Sequence, residues 1–392
     1  MNLALSEGDP LNFFFIIVFS FLLVFLAIPS IIHIANKLQV FDNHTEERKS
    51  HRQGVSRLGG IAVFCSLVLT TLLFSDFINL KISNYLLTAF ILIFAVGLKD
   101  DLWGVNPSTK FFIQLLTALT VVLLADIRIS SMHGIFNIGV LPYWLSVGFS
   151  VLLVIFITNS FNLIDGIDGL VGMTALIASL AFGLFFSYMG EYSYACMAFT
   201  LTGGTIGFLR FNISPAKIFM GDAGSMLIGL VAAILAIEFI ELNISSSTGQ
   251  AYFASAPAIA MAVLIGPIFD VIRVFVLRII KKGSPFIADN NHTHHRLLRL
   301  GYNHRQTTLI LMSFNNLLLS MVIYYRDLGN TLLITFLFLS CMIFNMALTI
   351  AINLRERKPG GSLQAQPADL RADQATLSVD NRYFVDAEGV EG

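Results

Sequence analysis

Long apolar runs separated by short polar segments make up most of this chain, and the runs have the length of helices that cross a bilayer. Taking stretches of about 17 to 25 mainly apolar residues as spans, the pattern predicts helices near residues 11–34, 58–79, 85–99, 110–125, 140–158, 168–189, 192–209, 223–241, 254–280, 308–325 and 331–353. The expected fold class is therefore all-α, a polytopic integral membrane bundle of about eleven transmembrane helices, with the third span short. The first run, from Leu11 to Ile34, is too long for a signal-peptide core and shows no clear cleavage site, so it is expected to remain as a span. No inverted repeat of the kind found in many transporters is visible.

Composition agrees with this pattern and narrows it. Hydrophobic residues make up 56% of the chain and charged residues only 12%, which excludes an ordinary soluble domain and gives no reason to expect nucleic acid as a partner. The partner is the lipid bilayer. Cys65, Cys196 and Cys341 lie scattered in apolar stretches without C-x-x-C spacing, so neither a disulfide framework nor a zinc site is indicated. The net charge of −1 hides a segregation of basic residues. One set of loops carries Lys37, Arg48, Lys49, Arg52, Arg57, Lys99, Lys110, Arg210, Lys217, Lys281, Lys282, Arg296, Arg299, Arg305, Arg355, Arg357 and Lys358, and the other only Lys81, Arg128 and Arg326. The positive-inside rule then puts the N-terminus outside and the C-terminus in the cytosol, as an odd number of spans requires. After Lys358 the composition turns polar and mildly acidic, too poor in apolar residues to fold alone. Residues 1–358 are thus expected to form one transmembrane unit and 359–392 a disordered cytosolic tail.

The charged and amide residues that interrupt the spans gather in a few places, all at the expected cytosolic ends. Ionisable residues at such positions are costly and point to function. Asn159, Asn162, Asp165 and Asp168 recur every third residue, with Gly166 and Gly169 among them, a set of hard oxygens and amides suited to a phosphate held through Mg2+. A short polar connection between spans is the plainer alternative. Asp100 and Asp101 are adjacent, with Lys110 and Gln114 following. Two neighbouring carboxylates in partly apolar surroundings call for a cation or a bound proton, although Asp-Asp before a glycine also ends many helices. In the run from Pro215 to Ser225, Gly221-Asp222-Ala223-Gly224-Ser225 reads as a turn into the eighth span, with backbone N–H groups open to an anion. Asp222 is the natural metal carboxylate there, or an N-cap. Finally, His292, His294 and His295 suit a transition metal, but Arg296 beside them favours phosphate. The basic run Arg48-Lys49-Ser50-His51-Arg52, leading to Arg57, is either part of the site or a topogenic cluster.

Lys99-Asp100-Asp101 with Gly104, the run Asn159 to Leu170, Pro215 to Ser225, and His292-Thr293-His294-His295-Arg296-Leu297 occur in one order. In these four motifs the chain resembles the polyprenyl-phosphate N-acetylhexosamine-1-phosphate transferases (glycosyltransferase family 4), over about residues 11 to 355. The form of the histidine motif is similar to that of the branch using simple UDP-N-acetylhexosamines. The phospho-MurNAc-pentapeptide transferases of peptidoglycan synthesis rank second. Ser56 departs from the family's pattern, which has proline before Arg57 and the paired glycines.

The resemblance implies transfer of N-acetylhexosamine-1-phosphate, with UDP-GlcNAc the expected donor, to undecaprenyl phosphate, with release of UMP. This would be the first membrane step of a cell-surface glycan such as O-antigen, enterobacterial common antigen, teichoic acid or exopolysaccharide. It implies a cytoplasmic (inner) membrane location with a cytosolic site, Mg2+ with Mn2+ able to substitute, and a homodimer, for which the sequence offers no strong small-x-x-x-small face. It also assigns roles: Asp222 and Asp165 at the metal, Asn162 and Asp168 in the catalytic group, and Asp100 and Asp101 deprotonating or orienting the lipid phosphate. Asn159, Lys110, Phe219, His292, His294, His295 and Arg296 would bind substrate, Phe219 by stacking on uracil. Direct attack is preferred over a covalent aspartyl intermediate. A transporter for anionic substrates is the rival reading, but it would place charges at the midplane rather than at one end of the spans.

Overall fold

The computed structural model of the chain describes residues 9–39, 54–74, 83–243, 252–280 and 292–356. Lys81, Arg48, Lys49, His51, Arg52, Lys281, Lys282, Arg357, Lys358 and the tail 359–392 lie outside the described residues. Within them every regular element is helical, apart from two isolated bridges. In chain order these are α1 Pro10–Leu38, α2 Gly59–Leu73, α3 Ser83–Trp103, α4 Pro107–Leu119, α5 Tyr143–Leu163 and α6 Leu170–Met189. There follow α7 Tyr192–Asn212, α8 Gly221–Glu241, α9 Ala256–Ile280, α10 Thr293–Arg299, α11 His304–Tyr324 and α12 Asn330–Glu356.

Each predicted apolar run falls on one of these helices, and eight of them are long and apolar enough to cross a membrane, α4 with its π-helical extension Thr120–Leu124 included. Three others depart from that criterion for separate reasons. Helix α2 is shorter, α3 ends in Lys99, Asp100 and Asp101, and α7 is diluted by threonine and glycine because it is buried among helices rather than in lipid. The third span, expected to be short, runs to Trp103, so both aspartates sit in its last turn. Gly104 at φ +74 then closes it, its N–H bonding to Asp100 O at 3.0 Å. The seven-residue α10, which carries the histidines, was not expected as a helix at all, since it is too short to show a hydrophobic period.

Local sequence explains the ends. Asp9 caps α1 through Leu11 N at 2.9 Å with Pro10 following, Pro107 opens α4, and Asn303 with Gln306 forms a capping box on α11. Pro267 inside α9 breaks the helix ladder, and Asn315 of α11 repairs it. Its amide oxygen accepts from Gly266 N at 3.2 Å and its amide nitrogen donates to Val263 O, the carbonyl that proline leaves unpaired, at 3.4 Å.

Helix α8 forms the centre of the bundle, buried along almost its whole length and packed by α2, α3, α5, α6 and α9. Helices α1 and α7 pack together beside it, and α11 and α12 lie against α9. The approach is closest near the start of α8. A Cβ on Gly60 would fall 2.3 Å from Gly224 N, and one on Gly97 2.5 Å from Ala223 Cα. Small residues at these crossings let three backbones converge on one end of the bundle. Trp103, Trp144, Tyr188 and Tyr324 are exposed near helix ends, as aromatic residues at membrane interfaces are.

Candidate active site

The start of α8 is where the polar motifs meet. Gly221, at φ +73, lets the chain turn into the helix with Arg57 O so near that a Cβ would sit 2.0 Å away. The segment before it runs beside residues 56–60. Phe219 N donates to Ser56 O at 2.8 Å, Gly59 N to Phe219 O at 3.0 Å and Gly60 N to Met220 O at 2.8 Å. Phe219 is thereby fixed by its backbone.

The first N–H groups of α8, which the sequence reading left open to an anionic ligand, are already taken. Asp101 accepts from Asp222 N at 2.8 Å and Ala223 N at 2.9 Å, and Asp165 accepts from Gly221 N at 2.9 Å. Two carboxylates from α3 and the α5–α6 loop thus cap the positive end of the central helix. Capping by Asp222 itself, the plainer reading of that residue, does not occur. Its side chain turns instead to Lys110 Nζ on one oxygen and to Asn162 Nδ2 at 2.9 Å on the other. Lys110 Nζ also donates to Asp100 Oδ2 at 2.8 Å, Asp100 Oδ1 accepts from Val105 N at 2.7 Å, and Asn162 Nδ2 reaches Ser225 Oγ at 3.1 Å. Asp100, Asp101, Lys110, Asn162, Asp165 and Asp222, from five separate segments, therefore form one cluster.

Charge in the cluster is unbalanced. Burial, compounded by the nearby Asp222 and Asp101 carboxylates, pushes the Asp165 carboxyl well above the ordinary carboxylate range, with Gly221 N–H and Arg57 only partly opposing it. Arg57, which the sequence leaves undecided between function and topology, lies close enough to act on Asp165 electrostatically. Its position next to the paired glycines was the available signal. Among the described residues no three His, Cys, Asp or Glu side chains form a ready metal cage. Mg2+ needs none, since it keeps waters and binds through one or two carboxylates together with substrate phosphates. The converging oxygens of Asp100 and Asp222, already bridged by an ammonium, fit that mode.

Other predicted residues have different partners. Asn159 forms a reciprocal amide pair with Gln114, both contacts at 3.0 Å. Asp168 accepts from Ala216 N at 3.1 Å and lies 3.2 Å from His304 Nδ1. Burial alone would raise its carboxyl, but His304 and the Ala216 N–H outweigh that and hold it below the usual value. The histidine motif docks on α9 and α12. Asp270 holds His292 Nδ1 at 2.8 Å and Thr293 N at 2.8 Å, while Arg296 donates to Asn345 Oδ1 at 2.9 Å and to Thr349. His294 is buried, its ring 4.3 Å from that of His295, and its Nε2 has no hydrogen-bond partner among the described residues. That nitrogen faces Gly166, where a Cβ would lie 3.1 Å away. Burial, then the neighbouring His295, pushes the His294 imidazole down to about 3, so it is neutral in the physiological range. Sequence gave no sign of Asn345 or Thr349, which look like ordinary polar breaks in a span.

The polytopic helical bundle gathers carboxylates, an ammonium and imidazoles at one end, a polar site suited to anionic substrates beside a bilayer. The chain belongs to glycosyl transferase family 4, whose profile matches residues 83–240. It is 29% identical over 296 residues to a probable undecaprenyl-phosphate N-acetylglucosaminyl 1-phosphate transferase of Bacillus subtilis, covering 74% of this chain and 79% of the relative. It is 32% identical to a decaprenyl-phosphate N-acetylglucosaminephosphotransferase of Mycolicibacterium smegmatis, over 68% of this chain and 71% of the relative. An undecaprenyl-phosphate alpha-N-acetylglucosaminyl 1-phosphate transferase of Salmonella typhi is 30% identical, over 67% and 71% respectively.

Proposed function

We propose that this protein transfers N-acetylglucosamine-1-phosphate from UDP-GlcNAc to a polyprenyl phosphate at the cytosolic face of the cytoplasmic membrane. A phosphate oxygen of the lipid attacks the sugar-linked phosphorus of the donor, the bond to the bridging oxygen breaks, and UMP leaves with that oxygen. The products are polyprenyl-diphospho-GlcNAc and UMP. The observation that carries this reading is the single cluster of Asp100, Lys110, Asn162 and Asp222 at one end of a membrane bundle. The relatives are named for transfer of N-acetylglucosamine 1-phosphate to a polyprenyl phosphate, which supports the same acceptor and the same transferred group.

The barrier is repulsion between two anions plus charge developing on the leaving phosphate. Mg2+ held by Asp222 and Asp100, instead of the Asp222 and Asp165 pair that the resemblance implies, because Asp165 is turned to Gly221 N while Asp100 and Asp222 converge, would supply Lewis-acid neutralisation of that charge. Lys110 supplies a fixed positive charge beside the same oxygens, and Asn162 fixes the rotamer of Asp222. Asp101 and Asp165 keep the α8 terminus and its carboxylate in place. A lipid phosphate has a second pKa of about 6, so it is already largely dianionic at neutral pH and needs orientation more than deprotonation. His294, neutral and facing Gly166, offers a hydrogen bond to a donor phosphate without adding charge.

The test is UMP release by detergent-solubilised protein with undecaprenyl phosphate and Mg2+, run in parallel with UDP-GlcNAc, UDP-GalNAc and UDP-MurNAc-pentapeptide. Release with UDP-GlcNAc is expected. Release only with the pentapeptide donor moves the protein to the peptidoglycan branch, and UDP-sugar binding without UMP release favours transport.

A further inference from the structure

Helices α4, α5 and α8 meet at the cluster in two layers, one helical turn apart. The upper layer is Lys110, Asn162 and Asp222, joined through the two Asp222 oxygens. The lower layer is Gln114, Asn159 and Met226. Each lower residue lies one turn deeper on its own helix than its counterpart, at +4, −3 and +4 residues, so each pair shares a helix face. In the lower layer Gln114 Nε2 donates to Asn159 Oδ1 and Asn159 Nδ2 donates to Gln114 Oε1, both at 3.0 Å. Asn159 Nδ2 also donates to Ile155 O at 3.0 Å, and Gln114 Nε2 lies 3.3 Å from Met226 Sδ. Gln114 is buried.

A closed pair of amides fixes separation, rotation and register between two helices at once, as a single hydrogen bond or an apolar contact does not. Both amide oxygens and one hydrogen of each amide nitrogen are used within it. The pair therefore has little left for a substrate, while any change in it moves α4 against α5. Lys110 rides on α4 and Asn162 on α5, and both grip the same carboxylate. We infer that Gln114 and Asn159 act as a positioning pair, an amide strut that sets the distance between Lys110 and Asn162 and so the pose of Asp222. The inference rests on the function proposed above and replaces substrate binding as the role of Asn159.

The test uses full-length protein with Gln114→Leu, Asn159→Leu, the double Leu variant, and the exchanged pair Gln114→Asn with Asn159→Gln. Each single variant should lower kcat about tenfold to a hundredfold, the loss expected for a misplacement of about 1 Å, with KM for both substrates within about twofold of wild type. The double variant should be little worse than either single one, because the partner is already lost. The exchanged pair keeps the combined side-chain length and should recover most of kcat. A rise in KM for the UDP-sugar in Asn159→Leu, with kcat intact and Gln114→Leu normal, overturns the strut in favour of substrate contact. So does wild-type kcat in both single variants. Thermal melting of the same proteins in detergent gives an activity-independent reading. Absence of UMP release by wild type sinks the functional proposal, whereas additive melting losses for the two single variants sink the strut.

Discussion

Asp222 is held by one cation and one amide, and each grips a different oxygen. That arrangement leaves its charge essential and its shape easily mimicked. Asp222→Asn keeps the size and removes the charge, so Lys110 is left with Asp100 alone. Turnover should fall by about a hundredfold to a thousandfold, as when a central electrostatic group is removed, with the fold intact by melting. Wild-type turnover with unchanged Mg2+ dependence would remove Asp222 from the reaction. Ser56 poses the opposite case. Its backbone oxygen is needed by Phe219 N, but its buried hydroxyl has no hydrogen-bond partner among the described residues. Ser56→Ala removes the orphan and retains the backbone pairing. It should stabilise the protein by about 1 kcal/mol, read as a higher melting temperature in detergent at unchanged kcat, and a lower melting temperature would show that the hydroxyl contributes.

At the scale of elements, α10 is a short helix with no period of its own, held in place by what surrounds it. Asp270 grips its first turn from α9, and Asn345 and Thr349 grip Arg296 from α12. Burial, then the nearby Arg273, pushes the Arg296 guanidinium down to about 10, which leaves it charged at neutral pH. Asn345→Leu therefore takes one partner from a buried cation and leaves it Thr349 and the backbone carbonyl of residue 345, and the seat of α10 should loosen before the rest of the bundle does. The expected result is a rise of about tenfold in KM for the UDP-sugar, with a smaller change in kcat. His294→Ala should act in the same direction. Because His294 is neutral down to about pH 3, neither variant should alter the pH dependence of that KM between pH 5.5 and 8. A titration near pH 6 that disappears in His294→Ala would show that the imidazole is charged in the complex. These contacts mark the limit of what the sequence carries. Asp100, Asp222 and the histidines stand out because charge is rare in spans. Asn345 and Asn315 do not, and Gln114 shows only as a neighbour of Lys110, because an amide has meaning only once its partner from another helix is known. Asp101 and Asp165 were legible as site residues, but their capping of α8 was not, since it joins segments more than fifty residues apart.

Across the whole molecule, every predicted apolar run falls on a helix within the described residues, the end of the second run at 75–79 lying outside them, because a run of about 18 apolar residues has few other stable forms. The charge asymmetry survives folding. Lys99, Lys110, Arg210, Lys217, Arg296, Arg299, Arg305 and Arg355 lie at the end of the bundle that holds the cluster, with Arg355 Nη1 bonding to Arg299 O at 3.2 Å. At the other end stand Arg128, paired with Asp126, and Arg326, whose carbonyl accepts from Ser255 Oγ. A bundle inserts with its basic end in the cytosol, which is also where nucleotide sugars would be supplied. Two exposed positions test this directly, Lys217 beside the cluster and Val140 at the far end. In a background carrying Cys65→Ala, which removes the exposed native thiol, a membrane-impermeant maleimide should label Val140→Cys in right-side-out vesicles. Lys217→Cys should be labelled only in inverted vesicles. The reverse pattern would place the cluster on the outer face, where UMP release from a cytosolic donor is impossible, and would overturn the proposed reaction along with the orientation.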